Sequence, residues 1–195
     1  MKLRKIIVIL IGTLLLLSCK TTQIKNSGIT TSLLGVVYDK KSNPVQNAII
    51  TITNTQGVVI KSVNTDIDGK FLIPELTFGS YLVGVSGDNF LDTTVDLDHY
   101  DIESILIIRL QSFSDLIYLL EEELKEKENS MALKTIEKLN KIDKKDIYFN
   151  YLKAIYLIKT DNKEEAINIL KELKSGNYKY VDLLLEDLKD DKEVN

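Results

Sequence analysis

One histidine, one cysteine and no tryptophan leave this 195-residue sequence short of the side chains that most site chemistry needs in numbers. A zinc site built on two histidines and a glutamate cannot be assembled from His99 alone, and a histidine cluster is excluded for the same reason. His99 lies in Asp96-Leu97-Asp98-His99-Tyr100-Asp101, where an exposed loop histidine is expected. Cys19 has no partner for an intramolecular disulfide. A Cys-His nucleophile pair is excluded because Cys19 is expected to be acylated. Proline is limited to Pro44 and Pro74, and the 85 residues after Leu110 hold one glycine, Gly176, and no proline. With 44% hydrophobic and 28% charged residues the chain suits one or two packed domains, and no enzyme site can be composed from it.

The start does carry a signal. Lys2, Arg4 and Lys5 precede an apolar run from Ile6 to Leu17, the build of a secretory signal peptide over residues 1–18. A spanning helix needs roughly 20 apolar residues, so the run is short for a permanent anchor. Leu16-Leu17-Ser18-Cys19 resembles the lipobox of bacterial lipoproteins, with a small residue before the cysteine. The resemblance implies lipidation of Cys19, cleavage before it and acylation of the freed amine. The alternative is a plain signal peptide that ends near a cysteine. Several acyl chains would hold the protein at a membrane without a transmembrane helix. Removing the leader leaves 22 basic against 29 acidic residues, a net −7, which argues against nucleic acid and against electrostatic adhesion to anionic lipid. Lys20 after the cysteine favours delivery to the outer membrane in a diderm cell envelope. Residues 19–31 are polar and read as an acylated tether.

From Ser32 to Leu110 apolar residues recur with a period near two, as in Ala48-Ile49-Ile50-Thr51-Ile52-Thr53. Seven strands are expected, at 32–38, 47–53, 57–63, 70–74, 80–86, 91–97 and 103–110. They imply a seven-stranded antiparallel β-sandwich with Val37, Ala48, Ile50, Ile52, Phe71, Ile73, Tyr81, Val83 and Val85 in its core. Within it, Asn64-Thr65-Asp66-Ile67-Asp68-Gly69 and Glu75 nearly satisfy the spacing of an EF-hand calcium loop. The flanks decide otherwise, because such a loop sits between helices and this one sits between strand patterns. Pro74 and Gly79 also oppose a helix at Glu75. Asp68-Gly69 is therefore expected to be a tight primed hairpin turn, with calcium at Asn64, Asp66, Asp68 and Glu75 as the lesser alternative. No cofactor is expected.

Gly35-Val36-Val37-Tyr38-Asp39, Pro44-Val45-Gln46-Asn47-Ala48, Thr65-Asp66-Ile67-Asp68-Gly69-Lys70-Phe71 and Gly79-Ser80-Tyr81-Leu82-Val83 follow one another in order. Together they resemble the carboxypeptidase regulatory-like domain, over about residues 32–110. The resemblance implies a transthyretin-like sandwich acting as an accessory module. It makes Gly35, Gly69 and Gly79 backbone-geometry positions, and Phe71 and Tyr81 core.

After Leu110 the period lengthens to that of a helix. Helices are expected at 113–127, 130–141, 146–159, 162–174 and 178–190, with start signals at Ser112, Asp143 and Asp161 and a stop at Gly176. Glu121-Glu122-Glu123 and Lys125-Glu126-Lys127-Glu128 read as a solvated face. Ala132-x3-Ile136-x2-Leu139 recurs 34 residues later as Ala166-x3-Leu170-x2-Leu173, and Ala154 precedes Ala166 by 12. That spacing resembles the tetratricopeptide repeat, although Asn150 and Lys153 stand where an aromatic residue and a leucine are expected. The alternative over residues 112–190 is an unrelated antiparallel bundle.

The expected architecture is thus α+β, a sandwich followed by an all-α helical-repeat domain. The expected function is a non-enzymatic, lipid-anchored envelope protein. Its partners would be the membrane, through the N-terminal lipid, and a protein, through the C-terminal helices. Tyr148, Tyr151, Tyr156, Tyr178 and Tyr180 are expected in the helical core, with a binding face as the alternative. The rival reading gives recognition to the sandwich, as a carbohydrate- or calcium-dependent surface module.

Overall fold

A computed structural model describes residues 28–193, apart from 102, 104, 175 and 177. The leader, Cys19 and the tether up to residue 27 lie outside the described residues. Alternating side chains set seven strands: β1 (Thr30–Asp39), β2 (Ile49–Asn54), β3 (Val59–Asn64), β4 (Lys70–Thr77), β5 (Gly79–Ser86), β6 (Thr93–His99) and β7 (Ile105–Leu110). They form a three-stranded sheet ordered β4-β1-β7 and a four-stranded sheet ordered β3-β2-β5-β6. Every pairing is antiparallel except that of β1 with β7, which is parallel and departs from the expected pattern. These are the first and last strands of the sandwich, so the whole intervening chain supplies the long crossover that a parallel pair requires.

The inward positions make one core. Val37, Ala48, Ile50, Ile52, Phe71, Ile73, Val83 and Val85 are buried together, with Tyr81 packed half-buried against them. Leu33, Val45, Leu76, Leu97, Ile108 and Leu110 join them. Gly35 faces Phe71 across the β1–β4 pair, and a Cβ on Gly35 would stand 2.1 Å from the Phe71 ring. Its role is to make room for an aromatic ring rather than to adopt a special φ. Gly79 has ordinary φ and no tight contact, so neither reason applies there.

The segment that resembles a calcium loop is a corner between sheets. Gly69 N–H donates to Asp66 O at 3.0 Å, Asp66 N–H donates to Lys70 O at 2.8 Å, and Gly69 has φ +72. Asp68 does not share the left-handed conformation, so the turn is not of the primed two-residue kind. It is a three-residue loop with glycine at the left-handed bulge position. Nor do its flanking strands form a hairpin, since β3 pairs with β2 and β4 with β1. Asp66 Oδ1 accepts from the N–H groups of Asp68 at 2.9 Å and Lys70 at 2.8 Å, which closes the corner. Thr65 beside it is buried, donating to Val45 O at 2.6 Å and accepting from Ala48 N–H at 2.8 Å.

His99 is not in an exposed loop. It ends β6 and is 1% exposed, edge-on to Phe78 with ring centroids 5.5 Å apart. Strand alternation explains the difference, since Leu97 and His99 point inward while Asp96 and Asp98 point out. What reads as an acidic loop is the solvent face of a strand.

Five helices follow: α1 (Phe113–Lys125), α2 (Asn129–Ile142), α3 (Ile147–Lys159), α4 (Lys163–Lys174) and α5 (Lys179–Glu193). Ser112 caps α1 in a capping box with Asp115. Asp143 ends α2 instead of starting α3, whose cap is Asp146, accepting from Phe149 N–H at 2.7 Å. Asp161 has φ +63 in the turn after α3, two residues before α4 begins. Glu123 departs from the expected solvated face: it is buried beside Leu120 and Leu124, because the helical period turns it inward. Leu116, Leu120, Leu124, Ala132, Ile136, Leu139, Phe149 and Leu152 form one cluster across α1, α2 and α3. A second cluster joins Ala154 and Leu157 of α3 to Ala166 and Leu170 of α4 and Val181, Leu185 and Leu188 of α5.

Gly69 and Gly57 offer a controlled comparison. Both have positive φ, +72 and +80, but a Cβ at Gly57 meets nothing within 4 Å while one at Gly69 would lie 2.5 Å from the Val37 carbonyl oxygen. Gly57→Val should cost the backbone strain alone, about 1–3 kcal/mol. Gly69→Val should cost at least about 1 kcal/mol more, the scale of overpacking against fixed backbone. Urea unfolding of the two variants checks this, and equal losses would show that the Gly69 corner can relax.

Candidate binding groove

Helix α3 has the sequence Ile147-Tyr148-Phe149-Asn150-Tyr151-Leu152-Lys153-Ala154-Ile155-Tyr156-Leu157-Ile158-Lys159, apolar nearly all round. Such a helix belongs at the centre of its domain. Phe149 and Leu152 enter the first helical cluster, and Ala154 and Leu157 the second. Tyr148, Tyr151 and Ile155, at i, i+3 and i+7, share a further face that those clusters cover only in part, with Ile155 half-buried against the first and Tyr151 against the second.

That face is the middle of a surface groove. On one side Leu124 of α1 and Leu152, both buried, underlie a hollow of about 390 Å³, with Tyr148, Tyr151, Ile155, Glu121, Lys125 and Lys159 around it. On the other, a hollow of about 360 Å³ has buried Val181 of α5 at its base and Tyr148, Tyr151, Tyr178 and Tyr180 as walls. The two hollows share Tyr148 and Tyr151, so the groove runs from α1 over α3 to α5. The paired rings lie nearly parallel, 20° between planes and 6.5 Å between centroids. Tyr148, Tyr178 and Tyr180 are exposed and only Tyr151 and Tyr156 are half-buried, which corrects the expectation that all five tyrosines are core. The phenol explains the outcome: an amphipathic ring is stable with its body on an apolar wall and its hydroxyl in water.

One wall is fixed by a polar contact. The Tyr148 hydroxyl donates to the Glu121 carboxylate, tying α3 to α1 at the groove's edge. That hydrogen bond, helped by burial and by the Glu121 charge, pushes the Tyr148 pKa up to about 12. Tyr148 is therefore a neutral donor throughout the physiological range. The groove offers flat aromatic surface with few conformers to freeze, flanked at the α1 end by Lys125 and Lys159 and at the α5 end by Asp146. Its walls suit an apolar surface rather than a charged one.

The other residues singled out by sequence are dispersed. Asn64 ends β3 opposite Ile49, Asp66 and Asp68 form the corner, and Glu75 is the bulged residue of β4 with φ +53. Asp68 Oδ2 is 3.1 Å from Lys70 Nζ. Among the described residues no three His, Cys, Asp or Glu side chains gather where they could hold a metal ion. Asn64 instead borders a polar hollow of about 480 Å³ at the loop end of the sandwich, with Gln46, Asn47, Asp88, Phe90 and Asp92.

Residues 32–105 match the model of the carboxypeptidase regulatory-like domain. The N-terminal part of the chain therefore carries that domain, with a helical region after it. No curated protein matches the chain. Among solved structures it is similar to the Bacillus anthracis TIE protein, with TM-score 0.38 and 21% identity over 43% of this chain and 18% of that one. It is also similar to catechol 1,2-dioxygenase from Pseudomonas arvilla C-1, at 0.34 and 12% over 46% and 54%. A third is BcpA, the major pilin subunit of Bacillus cereus, at 0.34 and 10% over 43% and 28%. The chain spans under two thirds of each of these structures, and resemblance at this level assigns no activity.

The Tyr148 contact can be tested by titration. Its ring signals should remain those of the neutral phenol past pH 10, where an ordinary tyrosine is about half ionised. Glu121→Gln should bring its midpoint down toward that value by removing the charged acceptor. Any stability the raised pKa confers is complete below about pH 10 and lost as pH rises through about 12. An unaltered midpoint in the variant would mean that Glu121 is not the cause.

Proposed function

We propose that the protein is a non-enzymatic, lipid-anchored component of a bacterial cell envelope, in which the sandwich presents tetratricopeptide-like helices to a protein partner. The observation that carries this reading is the tyrosine groove across α1, α3 and α5. Alternate helices supply it, as expected if α1–α2 and α3–α4 are two repeats and α5 closes the array. Ala132 and Ala166, 34 positions apart, are fully buried in α2 and α4, and Ala154 is fully buried in α3. Small residues at those places let neighbouring helices approach. The partner would lay an extended or helical apolar segment on the tyrosines, through side chains of the type that dominate binding energy at interfaces. The lipobox supports anchoring through acylated Cys19, and Lys20 after it favours the outer membrane if the envelope is diderm. A second reading rests on the polar hollow beside Phe90, whose amides and carboxylates suit a polyhydroxylated ligand such as a carbohydrate.

Two measurements test these claims separately. Cys19→Ala should abolish fatty-acid labelling and leave the leader uncleaved; unchanged labelling would remove the anchor. Chemical cross-linking and pull-down from native membranes should recover a protein partner with the wild type. Tyr151→Ala with Tyr180→Ala should reduce that recovery about tenfold, the effect of losing one well-placed aromatic contact. Undiminished recovery would move recognition to the sandwich, and then Asp88→Ala and Asp92→Ala should weaken it instead.

A further inference from the structure

The two sheets expose four strand edges, and three are guarded. Edge β4 contains Pro74, which has no N–H to offer, followed by Glu75 in a bulge. Edge β3 has an extra residue, Ile60, in a bulge and sends Lys61 Nζ to the Pro74 carbonyl at 2.5 Å. Edge β6 turns the carboxylates of Asp96 and Asp98 outward. Proline, bulges and charge are the means by which sheets avoid pairing with other chains.

Edge β7 is the least guarded. Its sequence is Ile105-Leu106-Ile107-Ile108-Arg109-Leu110, with no proline or bulge and one charge. Ile105 and Ile107 are 62% and 61% exposed. Among the described residues it pairs only with β1, so alternate backbone N–H and C=O groups face away without a strand to take them. Exposed Leu34 and Leu72 continue Ile105 as one cross-strand row, which makes the apolar surface contiguous.

We propose that β7 pairs antiparallel with β7 of a second copy of this chain, about a two-fold axis at Ile107, to join the two three-stranded sheets into one of six. The sequence is self-complementary in that register. Residues directly opposite share a face in an antiparallel pair. Ile107 therefore meets Ile107 of the second copy, Ile105 meets Arg109, and Leu106 meets Ile108. Arg109 folds its guanidinium back to within 5.9 Å of the Tyr38 ring centre and 3.2 Å of Ser42 Oγ, leaving its methylene stem for Ile105. Centring on Arg109 would oppose like charges. Centring on Ile108 would extend pairing to Gln111, whose carbonyl already accepts from Leu91 N–H at 2.9 Å. This inference rests on the sandwich alone and is independent of the proposed anchor and groove.

The test is sedimentation equilibrium of the full chain in a density-matched detergent, where the wild type should dimerise. Ile107→Glu places two carboxylates opposite each other and should weaken the dimer at least about tenfold, or 1.4 kcal/mol. Ile105→Glu places a carboxylate opposite Arg109 and should change it less than about threefold. A merely sticky patch would respond equally to both. As a second measure, Ile107→Cys should form a disulfide-linked dimer under mild oxidation, with wild type, whose only cysteine is Cys19, as background. Leu72→Cys, on the far strand of the same sheet, should not, being five strand spacings or about 24 Å from its counterpart. A wild type monomeric at about 100 µM, equal effects of the two glutamates, or equal cross-linking of the two cysteines would overturn the proposal.

Discussion

The helical half depends on one constraint: α3 is apolar on more faces than its neighbours can cover. A helix of this composition is stable only where most of its circumference is out of water. The fold meets the demand by using α3 twice, as a wall of the cluster with α1 and α2 and as a wall of the cluster with α4 and α5. Five helices then share two small cores through a single element, and neither core is complete without it. The face left over is where the groove forms. Tyrosine suits it because leucine at Tyr148 or Tyr180 would expose a wholly apolar side chain, whereas a phenol keeps a hydrogen-bonding group toward solvent.

Between sandwich and helices the connection is short and backbone-led. Phe113 N–H donates to Asn89 O at 2.8 Å and Leu91 N–H donates to Gln111 O at 2.9 Å, so the β5–β6 connection straps the chain where β7 passes into α1. Leu91, carried by that connection, packs against the first helical cluster beside Phe113. The ion pair of Lys41 with Asp115, at 3.9 Å with Lys41 well exposed, contributes little beside this. The strap fixes the entry of α1, and the Ser112 capping box then sets its direction. The five-helix region thereby gains a support at its first helix.

Strand positions were readable because period two is a demanding pattern: the residues predicted for the core face of the sandwich are buried, Tyr81 partly so. What failed there were polar residues judged by neighbours in sequence rather than by register. Asp96, Asp98 and His99 differ in fate because alternate residues face opposite sides, which becomes visible only once the strand is known to run two residues further than its hydrophobic signal. The Asp68-Gly69 turn was recognisable, but its destination was not. Local chemistry specifies a reversal of direction, and whether the strands on either side share a sheet is decided by pairing with β1 and β2 far away in sequence.

The groove was hidden for a different reason. Periodicity identifies a face by contrast with polar residues, and α3 supplies almost no contrast, since Tyr148, Phe149, Tyr151 and Leu152 are all apolar by composition. Their fates diverge from the floor of a hollow to its rim according to which helices lie opposite. Phe149, which has no polar atom to solvate, is wholly buried, while Tyr148, one position away, stands half in solvent with its hydroxyl held by Glu121. The distinguishing signal in the sequence is therefore the choice of phenol over phenyl at successive positions of one helix.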